Sequence, residues 1–323
     1  MKKSLNKKAR KKKKVSIVIP AYNEEECVDE LSIRLKKVFA VENQYTFEVV
    51  VVENGSTDNT WEKLEKINKD DDRFKILRLS RNFRMDGGIT AGLEFIDGDC
   101  CVIMTADLQD PPEAIHEFLR EWENGIENVY AVIRKRHGTS PIRRVNSLVF
   151  YRLASFLSDG RITKNASDFR LVDRKVYETI RNMNERNRFV RGLFSWAGFR
   201  SIGIEIERPP RFGGKSNAHT FEVIDLAIKG IFAHTYKPLK LITLIGIFLS
   251  LIAIGILFSL VALWIIKGVP FPGYGSIMAV LLLLLSFSFL LMGVIGEYVG
   301  LIYEEVKARP NYIVTEKIGF KNY

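Results

Sequence analysis

Residues 46–60 read Thr-Phe-Glu-Val-Val-Val-Val-Glu-Asn-Gly-Ser-Thr-Asp-Asn-Thr. The first eight form an apolar strand, 46–53. The next five are turn formers, and Asp58 stands where a helix over 58–70 needs an N-cap. The same unit recurs outward from this stretch. Residues 15–20 read as a buried strand followed by a helix over 24–41, with Val28, Leu31, Leu35 and Val38 at helical spacing. Residues 74–80 precede a helix over 88–96, and 100–104 precede a helix opened by Pro111-Pro112. A fifth strand covers 129–134. Strands alternating with helices predict an α/β fold, a mostly parallel sheet with helices on both faces.

Ligands of such sheets bind at the carboxyl ends of the strands. Strand one ends in Pro20-Ala-Tyr-Asn-Glu-Glu25 and strand two in Glu53-Asn-Gly-Ser-Thr-Asp-Asn-Thr60. Strand three ends in Ser80-Arg-Asn-Phe-Arg84 and strand four in Met104-Thr-Ala-Asp-Leu-Gln-Asp-Pro-Pro112. Each alone is an ordinary turn; four in order along one edge mark a site. No Gly-rich phosphate loop of the Walker or dinucleotide type follows strand one, which argues against NTP hydrolysis and NAD. Asp107, one residue from the amide of Gln109, suits a divalent metal carrying a diphosphate.

The chain has 323 residues, 27% charged and 47% hydrophobic, which excludes disordered, collagen-like and disulfide-framework proteins. A mean hydropathy of 0.00 is high for so charged a chain and hides polar and apolar blocks. Residues 1–14 hold nine Lys/Arg and no acid, so subtracting nine from the net charge of +10 leaves +1 for the rest. The tail is expected to be disordered and drawn to anionic lipid, at about 1 kcal/mol per basic residue near the surface. Nucleic-acid binding competes with that reading, and the apolar block disfavours it. Cys27, Cys100 and Cys101 form no metal or disulfide spacing, which fits a reducing compartment. His116, His137, His219 and His234 form no metal spacing either.

Leu241 to Ile266 is a run of 26 residues without charge, and Gly268 to Gly296 one of 29. A membrane crossing needs about 20 apolar residues. The runs predict a two-helix membrane hairpin, with a buried helical pair as the alternative. Lys229, Lys237, Lys240 and the tail place both ends in the cytoplasm. Residues 220–236 carry Phe221, Ile224, Ile228, Ile231 and Phe232 on one stripe, as an interfacial helix or one packed on the soluble domain would. The expected organisation is a tail 1–14, an α/β domain 15–219, an interfacial helix 220–238, two membrane helices within 239–298 (about 241–266 and 273–296) and a cytoplasmic segment 299–323.

The strand-end segments, together with Asp168-Phe-Arg-Leu171, resemble the family-two inverting glycosyltransferases of nucleotide-sugar-binding GT-A fold. Within them the chain is most similar to the polyprenyl-phosphate group, which includes dolichol-phosphate mannosyltransferases and bactoprenol glucosyltransferases. The resemblance runs from Val15 to about Lys317. It implies a nucleotide-sugar donor, best UDP-glucose with GDP-mannose second, and a polyprenyl (undecaprenyl) phosphate acceptor. It implies Pro20, Tyr22, Asn23, Glu24, Glu53 and Gly55 at the donor, and Mg²⁺ or Mn²⁺ held by Asp107 with Gln109. Arg211 and Lys215 match a mobile loop over the diphosphate. Arg134, Arg143 and Ser147 match positions that grip the lipid phosphate, the last two four apart and so on one helix face. Asp168 matches a position often called the catalytic acid-base. It orients hydroxyls, acts as a base, or merely caps a helix before Asp173-Arg-Lys175. Inner-membrane location, a homo-oligomer and a separate flippase are also expected.

One departure stands out: relatives usually read Asp-Ala-Asp where this chain reads Thr105-Ala-Asp107. Either the remaining ligands suffice, the favoured reading, or metal affinity falls. A weakened scaffold relative is the rival reading. A processive polysaccharide synthase is disfavoured by the absence of Gln-x-x-Arg-Trp after Asp168 and by two spans only.

Overall fold

The computed structural model describes residues 12–133, 166–186, 188–209, 212, scattered positions within 242–266, and 273–320. They divide into two compact units, residues 1–219 with 309–323, and residues 220–308.

The first unit is built on an eight-stranded sheet of order β7-β5-β6-β4-β1-β2-β3-β8. The strands are β1 Lys14–Ala21, β2 Thr46–Glu53, β3 Phe74–Leu79, β4 Cys100–Ile103, β5 Asn128–Ile133, β6 Ala166–Asp173, β7 Ser201–Ile206 and β8 Val314–Ile318. β6 and β8 run against the other six. The sheet is thus mostly parallel, as expected. Its helices are α1 Val28–Val41, α2 Thr60–Asp70, α3 Arg84–Glu94, α4 Ile115–Glu123, α5 Arg174–Arg181 and α6 Val190–Trp196. Alternate strand residues serve two cores. Ile17, Ile19, Val49 and Val51 pack with α1, α2 and α4. Val18, Val50 and Val52 pack with α3, α5 and α6. This double burial is why β1 and β2 read as continuous apolar runs.

Several boundaries differ from the sequence reading. Residues 24–27 form a turn, so α1 begins at Val28, and α3 begins at Arg84 rather than 88. Lys13 and Lys14 do not belong to the tail: Lys14 opens β1, and Lys13 meets Glu123 at 2.8 Å and lies over the Trp122 ring. Residues 309–323 group with the first unit. β8 pairs antiparallel with β3, Glu316 meets Arg78 at 2.9 Å, and Phe320 stacks edge-on against Phe95.

A buried network ties the amino-terminal ends of β1, β2 and β3. Glu48, 3% exposed, meets Lys75 at 2.7 Å and Lys14 at 2.9 Å and accepts from the Ser16 hydroxyl. Burial pushes its carboxyl up, but the bonds from Lys75, Ser16 and Lys14 outweigh that and hold it at about 2. A depressed carboxylate stabilises the fold above its unfolded pKa. The contribution is lost as pH falls from about 4.5 through about 2. Glu48→Gln is expected to cost about 2–3 kcal/mol at pH 7, or about 4–12 °C in thermal midpoint, with the deficit shrinking below pH 4.5. Thermal unfolding of both proteins across pH 2.5–7 checks this.

In the second unit, α7 spans Tyr274–Lys307, 34 residues or about 51 Å. It extends well past the expected end at 296, through Glu297, Glu304 and Glu305. Phe287–Lys307 is long and apolar enough to cross a membrane. The first expected span lies mostly outside the described residues; the positions described within 242–266 are helical, and Leu244, Phe248, Ile265 and Ile266 are exposed. The expected interfacial helix over 220–238 lies outside them altogether.

Candidate active site

The carboxyl ends of β1 and β2 are knitted together by their loops. The Asn23 backbone, in the left-handed region at φ 54°, donates to Ser56 Oγ at 3.0 Å, and its side chain accepts from Thr57 N at 2.8 Å. Glu24 N donates to Thr60 Oγ1. Helix α2 starts at Thr60 with Asn59, not the expected Asp58, at its N-cap; Asp58 instead accepts from Thr60 N and Oγ1 and from Glu25 N, and so fastens the neighbouring loop. Pro20 is buried and Tyr22 half-buried at this junction.

Glu53 closes β2 at 1% exposure. Its Oε1 accepts from Ser56 N, while Oε2 is buried without a hydrogen-bond partner and lies 3.5 Å from Arg78 Nε. Asn54 holds the third strand end: its amide donates to Arg84 O at 2.8 Å and accepts from Phe83 N at 2.9 Å. An aspartate could not make both bonds, which explains the asparagine here. Gly55, at φ 72°, has Arg81 backbone carbon 2.6 Å from where a Cβ would sit.

At the end of β4, Thr105 occupies the place of the missing carboxylate. Its Oγ1 lies 2.7 Å from both Asp107 Oδ1 and Asp110 Oδ2, and its backbone N–H donates to Asp110. Leu108, at φ 59°, folds the loop so that Gln109 N also reaches Asp107 Oδ1, at 3.2 Å. Among the described residues nothing hydrogen-bonds Asp107 Oδ2. Asp110 is fully buried, and burial raises its pKa, against the pull of Arg208 3.7 Å away. No group of three or more His, Cys, Asp or Glu converges on a metal position among the described residues. A metal here would rest on one carboxylate, with Gln109 beside it. That fits Mg²⁺, which keeps several waters and takes substrate phosphates as ligands.

Asp168 arrives from β6. Ile103 pairs with Arg170, so antiparallel β6 carries Asp168 two residues further, level with the Thr105–Asp107 turn. It caps no helix; Asp173 does, accepting from Lys175 N. Asp168 instead makes a two-point ion pair with Arg191, at 2.8 and 2.5 Å. Burial pushes its carboxyl up, but Arg191, Arg170 and Arg208 outweigh this and hold it below the usual carboxylate range. Arg170 is buried against the Phe194 ring, and desolvation lowers it to about 10.

The structure therefore brings Tyr22, Asn23, Glu24, Glu53, Gly55, Asp107, Gln109 and Asp168 to one sheet edge. Arg134, Arg143, Ser147, Arg211 and Lys215 lie outside the described residues. Arg191 and Arg208 were not singled out in the sequence, because nothing local couples them to Asp168 or Asp110. The three cysteines are buried and in no disulfide, and His116 is satisfied by Glu42 at 2.8 Å.

A family model described as glycosyl transferase family 2 matches residues 16–181, which contain these strand ends. An uncharacterized glycosyltransferase of Synechocystis sp. is 38% identical over 307 residues, 95% of this chain and 96% of that protein. Uncharacterized glycosyltransferase YkcC of Bacillus subtilis is 39% identical, covering 95% of each. The bactoprenol glucosyl transferase of Shigella phage SfII is 33% identical, covering 93% of this chain and 97% of that one. Among solved structures, glucosyl-3-phosphoglycerate synthase from Mycobacterium tuberculosis aligns with a TM-score of 0.48 at 18% identity, over 68% of this chain and 76% of that one. That last likeness is too slight to bear on the chemistry. Identity along nearly the whole length, over a GT-A-like sheet whose polar strand ends converge on Asp107 and Asp168, places the chain in glycosyl transferase family 2, as a glycosyltransferase.

Proposed function

We propose that this glycosyltransferase moves a hexose, glucose from UDP-glucose, to polyprenyl phosphate with inversion at the cytoplasmic face of a membrane. The observation that carries this reading is the match to bactoprenol glucosyl transferases over 93% of the chain, apolar C-terminal unit included. A helix apolar enough to cross a membrane, Phe287–Lys307, is a feature that an enzyme with a lipid acceptor would carry. A two-span hairpin is part of the proposal, as are a basic tail on anionic lipid, a homo-oligomer and a separate flippase for the product.

The residues have distinct tasks. Glu53 Oε2, buried and unsatisfied, suits a hydroxyl of the nucleoside. Asp107 Oδ2 and Gln109 would hold Mg²⁺ or Mn²⁺ at the donor diphosphate, where the ion supplies Lewis-acid stabilisation of the leaving group. Thr105 aligns Asp107 by its hydroxyl, which counts against the weakened-scaffold reading. The acceptor phosphate, with a second pKa of about 6, needs no strong base at neutral pH. Asp168, held ionised by Arg191, therefore orients hydroxyls of sugar or acceptor rather than taking a proton. Arg134, Arg143 and Ser147 would hold the lipid phosphate, and Arg211 and Lys215 would close over the diphosphate.

The test supplies purified protein with undecaprenyl phosphate, Mg²⁺ or Mn²⁺, and labelled UDP-glucose, GDP-mannose and other nucleotide sugars. Label entering the lipid phase from UDP-glucose is expected. Label from GDP-mannose alone would make the protein a mannosyltransferase. No transfer from any donor that still binds would leave a scaffold relative.

A further inference from the structure

We propose that Asp86 is a positioning residue for Asp168, acting through α6 and Arg191. The inference rests on the reading of Asp168 as part of the transfer site. Asp86 stands in the first turn of α3, and its Oδ1 accepts the backbone N–H of Val190 at 2.9 Å. Val190 opens α6, which has no side-chain cap of its own. The next residue, Arg191, makes the two-point pair to Asp168. Two consecutive residues of α6 thus answer to two carboxylates, one from α3 and one from β6.

The anchor is rigid. α3 lies directly on β1: a Cβ on Gly88 would come within 2.9 Å of Pro20, and one on Gly92 within 2.3 Å of Val18. β1 is the strand that ends in the donor loops. Asp86 therefore fixes α6 to the frame that carries the donor site, and α6 aims Arg191 at Asp168. The charged groups acting on Asp86 are Asp168 from β6, Arg191 from α6, and Arg188 from the segment before α6. Burial first, then repulsion by Asp168, raises Asp86 to about 6. Near neutral pH it changes from a charged to a neutral acceptor, and a charge-assisted bond is roughly twice as strong as a neutral one.

The experiment uses the full chain and begins without turnover. Thermal midpoints of Asp86→Ala, Arg191→Met and the double variant form a cycle. Non-additive shifts are expected; additive shifts overturn the inference whether or not the protein transfers sugar. Turnover follows, with labelled UDP-glucose and undecaprenyl phosphate. Asp86→Ala is expected to lower kcat about 10- to 100-fold, the scale of a misplacement near 1 Å, with donor KM little changed. A kcat within twofold of wild type overturns it. Asp86→Asn keeps the acceptor atom and removes the charge. The ratio of wild-type to Asp86→Asn turnover is expected to rise through about pH 6. Titration of the acceptor phosphate cancels in this ratio. A flat ratio overturns the pH link.

Discussion

Asp107→Asn is expected to lower sugar transfer by about a thousandfold or more, the scale seen when a group stabilising developing charge is removed. The substitution is nearly isosteric. Its oxygen can still accept from Thr105 and from Gln109 N, so the loop keeps its shape. What it loses is the anionic Oδ2, the oxygen that no described residue hydrogen-bonds. With residue 105 a threonine, the neighbouring carboxylate is Asp110, and that one is buried and taken up by Thr105 and Arg208. Among the described residues neither neighbouring carboxylate can replace Asp107, since Asp110 is buried and Asp168 is paired with Arg191. Initial rates over a range of Mg²⁺ and Mn²⁺ concentrations, with the thermal midpoint as a folding control, decide the matter. A rate within tenfold of wild type at an unchanged midpoint would remove Asp107 from the reaction.

Gly55→Ala is expected to damage fold and donor binding together. At φ 72° an L side chain costs about 1–2 kcal/mol. The new methyl would also lie 2.6 Å from Arg81 C, 2.8 Å from Arg81 Cα and 2.9 Å from Asn82 N. These are backbone atoms, which cannot rotate away as a side-chain tip can. Segment 80–84 must shift, and with it the two bonds from Asn54 to Phe83 and Arg84. A total near 3 kcal/mol corresponds to a thermal midpoint lower by about 6–12 °C for a unit of this size. Donor affinity, measured calorimetrically, should fall at least about tenfold, since 1.4 kcal/mol suffices for that. Gly125→Ala is the control. Its φ is 88° but nothing lies within 4 Å of the added methyl, so it reports backbone strain alone. If both variants lose the same stability and Gly55→Ala binds donor normally, the close approach carries no weight.

Much of the strand-end chemistry was legible in the chain. Glu53, Gly55, Asp107 and Gln109 each follow an apolar run, and in a parallel sheet such positions collect on one edge. Asn54 was legible as a turn former but not as a contact: its partners, Phe83 and Arg84, lie about 30 residues away. Thr105 looked like a loss of charge. In the fold it is a bridge between two carboxylates, and that depends on Leu108 turning the loop back.

By itself the sequence determined the alternation of elements, because burial on both sheet faces demands apolar runs and connecting helices demand periodic stripes. It determined the apolar C-terminal segments, because length without charge is a one-dimensional property. Only the tertiary structure decided how Asp168 enters the site, because strand direction is not written in a strand's own residues. β6 runs antiparallel to β4, and this reversal puts the start of β6, rather than its end, beside Asp107. The pairing of Asp168 with Arg191, the hold of Asp86 on α6 and the return of β8 to the sheet edge follow likewise from contacts between distant segments. Their energies depend on which surfaces meet, and no local pattern of residues encodes that.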